Sequence, residues 1–156
     1  MQVTPATPVA LLNGAPADAD AGGLRALAQV NYGHATTMRV RGGAVQGLDL
    51  HLARLRQGNA ELFDAQLDEA ALRGWMAQAA RRAGGDCSMR VIVFARDFDH
   101  RRPLQEVALD VLVTAAAPQP PRTDALRVLT RDFLRPLPHL KHLGTCPLFH
   151  HRRQAL

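Results

Sequence analysis

Of the 19 basic residues in this 156-residue chain, 18 are arginines and one is a lysine, Lys141. Arginine keeps its proton at any accessible pH, whereas a lysine amine can be neutralised and then attack a carbonyl carbon. In a chain that uses arginine wherever charge alone is needed, Lys141 stands out as a nucleophile, against the plainer reading of a solvated surface residue. Schiff-base chemistry at such an amine needs shelter and a lowered pKa. Leu140, Leu143 and the prolines nearby offer shelter, and His139 and His142 offer polar neighbours. An aldehyde that carries a phosphate, as pyridoxal phosphate does, also needs an anion anchor, and an inward-facing Arg54 would grip it bidentately. By spacing alone Arg54 reads more readily as a charge on a helix surface, and both readings stay open.

Other chemistries find less support. His139, His142, His150 and His151 lie close together with Cys146 among them, but their spacing matches no zinc pattern and no second cysteine is near, so no metal is expected. The only serine is Ser88, and no Gly-x-Ser-x-Gly elbow occurs. Gly22-Gly23 and Gly42-Gly43 lack the context of a phosphate-binding loop. The net charge of +5 permits a nucleic-acid partner, yet the arginines are scattered and five Phe, one Tyr and one Trp are too few for a stacking platform. No nucleic acid is therefore expected, and a basic binding domain ranks third among the function classes. No apolar run approaches the roughly 20 residues that cross a bilayer, and the N-terminal stretch lacks a basic region before its apolar run. With two cysteines, which suit a reducing compartment, a cytoplasmic location without membrane association is expected.

The elements that must position Lys141 and Arg54 read as follows. Residues 9–12 form a short strand entering a turn at Asn13-Gly14, and residues 36–46 form a hairpin about Gly42-Gly43. Alternation puts Thr37, Arg39 and Arg41 on the more polar face of that hairpin and Thr36, Met38 and Val40 on the other. A helix over 49–63 turns Leu48, Leu52, Leu55 and Leu62 toward the core and projects His51 and Arg54 side by side. A second helix opens at an Asp68 cap, buries Leu72, Trp75, Met76 and Ala79, and ends at Gly84-Gly85. Strands are expected over 89–94 and 107–113, a stiff connector over 115–122, a new strand over 126–129, an irregular proline-broken stretch over 134–143 and a helix from Pro147.

Asn31-Tyr32-Gly33-His34-Ala35-Thr36-Thr37-Met38-Arg39-Val40, then Gly43-x-Val45, then His51-Leu52-Ala53-Arg54-Leu55 resemble the N-terminal half of the class IV aminotransferases, the fold-type IV pyridoxal-phosphate enzymes. Within them aminodeoxychorismate lyase is similar through the Thr-Thr pair and Lys141-His142-Leu143, with branched-chain aminotransferases also related. The resemblance runs on through Ser88-Met89-Arg90-Val91 and Arg127-Val128-Leu129 to Arg152-Arg153-Gln154-Ala155. It implies an α+β fold: a small N-terminal sheet-and-helix domain over 1–117, like that of D-amino-acid aminotransferase, a linker over 118–124, and over 125–156 the start of a second, cofactor-binding α/β domain. It implies that Lys141 carries pyridoxal 5'-phosphate as a Schiff base and moves the substrate proton, and that Arg54 holds the cofactor phosphate. It places Thr37 and Ala35 beside the substrate. Ala35 departs from the aromatic residue usual there, which implies a wider pocket.

The function implied is pyridoxal-phosphate-dependent amino transfer or elimination on an amino acid or an aminodeoxychorismate-like substrate, by a homodimer. The family's partner for the pyridine nitrogen and the rest of its phosphate cup come from the second domain, beyond residue 156, so the second domain is expected to be cut short. The rival expectation is a truncated or degenerate relative without catalysis, serving as a folding or dimerisation module.

Overall fold

Two pairs of left-handed turn residues shape the sheet. Asn13 and Gly14 (φ 49° and 83°) close β1 (Val9–Leu12) onto β2 (Ala15–Pro16), and Gly42 and Gly43 (φ 54° and 75°) close β3 (Gly33–Arg41) onto β4 (Ala44–Val45). Positive φ at both central positions is what a two-residue hairpin requires, and asparagine and glycine tolerate it. The computed structural model describes residues 8–120 and 123–155. Of the expected linker, Pro121 and Arg122 lie outside the described residues, as do the first seven residues of the expected N-terminal domain and Leu156.

With β5 (Cys87–Phe94) and β6 (Asp110–Ala116) the hairpins make one antiparallel sheet in the order β2-β1-β6-β5-β3-β4. One face carries Leu11, Met38, Val40, Met89, Val91, Val93 and Val113, all buried beneath α2 (Leu48–Phe63) and α3 (Glu69–Arg82). Leu52 and Leu55 of α2 and Leu72, Met76 and Ala79 of α3 complete that core. Asp68 caps α3 by accepting from the Ala71 amide at 2.9 Å. Gly58 brings α2 close to β3: a Cβ there would lie 2.5 Å from Nδ1 of His34, whose other ring nitrogen meets Oδ1 of Asn59 at 2.8 Å. Burial holds His34 below the usual imidazole pKa, so its neutral ring fits a core position. The α+β architecture agrees with expectation.

Three details differ from it. Residues 21–30 form a helix, α1 (Ala21–Val30), which the Gly22-Gly23 pair disguises. Asp20 caps it through the Gly23 amide, and Leu24 and Leu27 pack against Leu12, Phe94 and Leu112 on the second face of the sheet. The last long strand is Asp110–Ala116, later than the expected 107–113, because β1 and β5 both pair with Ala115 or Ala116. Residues 126–129 make no strand: among the described residues they have no ladder partner, and Leu126, Val128 and Leu129 are exposed. The stretch over 134–143 is irregular, as its prolines predict, and α4 (Cys146–Gln154) takes Pro147 in its first turn.

A polar knot ties the far end of the sheet. Asp110, almost wholly buried, accepts from Arg96 Nε at 2.8 Å, from the Arg96 guanidinium again at 2.6 Å and from Asn13 Nδ2 at 2.7 Å. Arg96 also pairs with Asp20 at 2.9 Å, so one arginine joins the first turn, the α1 cap and β6. Asp110→Ala should lower stability by about 1.5–3 kcal/mol, the cost of a charged hydrogen bond lost from a buried position. It is read as a lower urea midpoint, with the exposed Asp97→Ala leaving the midpoint in place; equal midpoints for both variants would show that the knot carries no stability.

Candidate functional site

β3 has two edges. β5 takes one along its whole length, while β4 covers the other only at Val40 and Arg41. The uncovered half of that second edge is filled from far along the chain. The Ala35 amide donates to the Lys141 carbonyl at 2.9 Å, the Leu143 amide donates to the Gly33 carbonyl at 3.0 Å, and His34 bridges His142. Leu140 and Leu143 are buried and anchor the segment on either side of the half-buried Lys141. Arg135 clamps it from outside, donating to the His142 carbonyl at 2.6 Å.

On the helical side of β3 the Thr36 hydroxyl, fully buried, meets His51 Nδ1 at 2.7 Å and accepts from Arg54 at 3.4 Å. His51 and Arg54 stand three residues apart on α2, so both reach one hydroxyl. On the opposite face Thr37 is exposed and lies across from Arg90 of β5, the two sharing a face as paired residues do.

Burial, and then the charges of Arg54, Arg90 and Arg135, hold the Lys141 amine below the usual lysine pKa. Burial first, followed by Arg54 and Lys141, pulls His51 below the usual imidazole value, which favours a neutral ring. Among the described residues no carboxylate pairs with Arg54, Arg90, Arg135 or Lys141, whereas Arg56, Arg73, Arg96 and Arg102 all have acidic partners. The site is thus a cluster of cations around one amine, with no acid among the described residues to satisfy it.

The structure brings Arg54 near enough to Lys141 for its charge to be felt at the amine. It puts Thr37 on the open face of the sheet and buries Ala35, whose backbone carries the lysine segment. Sequence reasoning did not single out Thr36, Arg90 or Arg135. The signal for Thr36 was a hydroxyl on the apolar face of β3 opposite the His51–Arg54 edge; nothing local marks Arg90 or Arg135. Of the remaining histidines, His139 meets Glu61 at 2.8 Å, and His150 and Phe133 flank His151. Two cavities lie elsewhere, about 740 Å³ between the end of α2 and the 103–107 loop, and about 370 Å³ between β4 and α3.

Comparison with known proteins covers the same segments. The model of the family described as amino-transferase class IV matches residues 33–156, from the start of β3 through the lysine segment to α4. A solved structure of 4-amino-4-deoxychorismate lyase from Pseudomonas aeruginosa is similar to 72% of this chain at 30% identity, with a TM-score of 0.56. The chain spans 42% of the length of that structure. No curated protein sequence matches it. A family match that holds β3, the helix bearing Arg54 and the strand-like segment bearing Lys141 in one frame makes this chain a member of the class IV aminotransferases.

Proposed function

We propose that this chain serves a pyridoxal-phosphate-dependent transferase or lyase, with Lys141 as the residue that bears the cofactor and Arg54 as an anchor for its phosphate. One observation carries the reading: an amine of lowered basicity sits among arginines that no carboxylate of the described residues neutralises. These residues fit the group. Its phosphate needs cations, and Arg54 has one neutral acceptor and donors to spare. Its aldehyde needs an amine that gives up its proton more readily than an ordinary lysine, which burial and three guanidinium charges favour. When bound, pyridoxal phosphate supplies an electron-withdrawing ring that acidifies the substrate Cα.

The chain's own residues do the rest. Lys141 Nζ is the base that removes and returns the proton at the substrate Cα, and its backbone, pinned to Ala35, fixes where the side chain leaves the strand edge. Arg54 holds the phosphate from the helical side. Arg90 and Thr37 line the open side, where an anionic amino-acid substrate would lie. The likeness to the Pseudomonas structure supports 4-amino-4-deoxychorismate or a related amino compound as substrate. We extend the reading to a cytoplasmic homodimer; no helix among the described residues is long and apolar enough to cross a membrane.

Because Lys141 is the only lysine, the α-amine of Met1 is its sole rival for a Schiff base. Incubation with pyridoxal phosphate, borohydride reduction and peptide mass mapping should find one adduct, on Lys141. Lys141→Arg should abolish it while keeping the charge. Arg54→Ala should weaken cofactor retention by about 1.5–3 kcal/mol, the worth of a charge-assisted contact. An adduct on Met1 alone would overturn the assignment.

The pH dependence has a definite sign. Neighbouring positive charges destabilise the protonated amine, so neutral, reactive Lys141 becomes available at lower pH than an ordinary lysine. In Arg90→Ala one such charge is gone, the amine's pKa rises and the pH midpoint of adduct formation moves up. A midpoint that stays in place would show that Arg90 does not act on the amine.

A further inference from the structure

The Thr36 hydroxyl is the one polar group that α2 shares with β3 at the cation cluster, and its proton can be placed. Thr36 is fully buried, between the apolar Met38 and the His34 position on the helical face of the strand. Its oxygen has two neighbours, His51 Nδ1 at 2.7 Å and the Arg54 guanidinium at 3.4 Å. Arg54 has only donors, so the hydroxyl can only accept from it. Were His51 also to donate, the hydroxyl proton would be left buried with no acceptor among the described residues, which is costly. The proton therefore goes to His51 Nδ1. His51 then carries its own proton on Nε2, and the lone pairs of Thr36 are turned toward Arg54. A valine would fill the same volume without any hydrogen-bonding requirement, so the hydroxyl serves its two partners rather than the packing.

We infer that Thr36 and His51 act as one positioning pair: His51, as acceptor, orients the Thr36 hydroxyl, and the oriented hydroxyl holds the Arg54 guanidinium at the angle at which it meets a phosphate. Neither touches the phosphate itself. This rests on the reading of Arg54 given above, and it adds a relay of two neutral groups behind the arginine. The relay explains why a threonine, and not an aliphatic residue, occupies this buried strand position.

The test compares pyridoxal phosphate with pyridoxal, which lacks the phosphate, as ligands of the full 156-residue chain. Their ratio of dissociation constants isolates the phosphate contact from everything else. The wild-type chain should prefer pyridoxal phosphate, and Arg54→Ala should lose that preference. Thr36→Val and His51→Leu should each reduce it, by ~2- to 10-fold for one neutral hydrogen bond. The double variant should be no worse than either single one, because the pair acts as a unit. Thr36→Ser and His51→Asn, which keep a hydroxyl and an acceptor, should restore it. Independently of any ligand, ¹⁵N NMR of the imidazole should find His51 as the Nε2–H tautomer in the wild type and a mixture in Thr36→Val. If Arg54→Ala loses the preference while Thr36→Val and His51→Leu keep it, or if the two variants weaken pyridoxal equally, the positioning role is wrong and the Arg54 assignment stands. If the wild type shows no preference, the Arg54 assignment falls and the inference falls with it. An Nδ1–H tautomer in the wild type would also overturn it.

Discussion

The half-open edge of β3 is the constraint on which the site depends. A strand whose backbone amides and carbonyls point outward must find partners, since buried unpaired groups are costly. β4 is two residues long and serves only the end of β3 at Val40 and Arg41. The remaining groups at Gly33 and Ala35 are met by Leu143 and Lys141, more than a hundred residues away. The lysine is thus held by its backbone, beside Thr36 and within range of α2, before any side-chain contact is made. A loop tethered only by side chains would leave the backbone at Lys141 free to shift; two main-chain hydrogen bonds and the buried Leu140 and Leu143 remove most of that freedom.

Charge is arranged in two contrasting ways at the two ends of the sheet. Around Arg96 the arginine is neutralised by Asp110 and Asp20, and the result is a structural tie between β1, α1 and β6. Around Lys141 the arginines are left without acids, and Thr36 gives Arg54 only a neutral acceptor. An internal salt bridge at Arg54 would compete with an anionic ligand. A hydroxyl orients the guanidinium and leaves its charge available. Burial first, and then the same unneutralised charge, lower the basicity of the amine, so the charge that would attract a phosphate also helps to prepare the lysine.

The glycines and the core support this arrangement from beneath. Gly58 lets α2 sit against His34, which sets the height of the helix over β3 and hence the reach of His51 and Arg54 toward Thr36. The apolar face formed by Met38, Val40, Val91 and Val93 against Leu52 and Leu55 fixes the rotation of α2, so that its His51–Arg54 edge meets the strand where the hydroxyl is.

Local pattern alone determined a good deal. The Asn13-Gly14 and Gly42-Gly43 turns were legible because few residues accept positive φ at two successive positions, and α2 and α3 because leucines at helical spacing leave little choice of buried face. The lone lysine was legible as a candidate nucleophile because arginine cannot present a neutral amine. Other features had no local signal. α1 contains Gly22-Gly23 and is held by the Asp20 cap and by packing of Leu24 and Leu27; β6 begins at Asp110 because β1 and β5 select its register; residues 126–129 have strand composition but no partner strand. Alternation separated Thr36 from Thr37, yet which of them would face the arginine depended on which side α2 packs. Arg90 and Arg135 join Lys141 from β5 and from the irregular stretch before it. Residue type can be read along a chain, but the field at an amine is the sum over charges that only folding brings within reach of it.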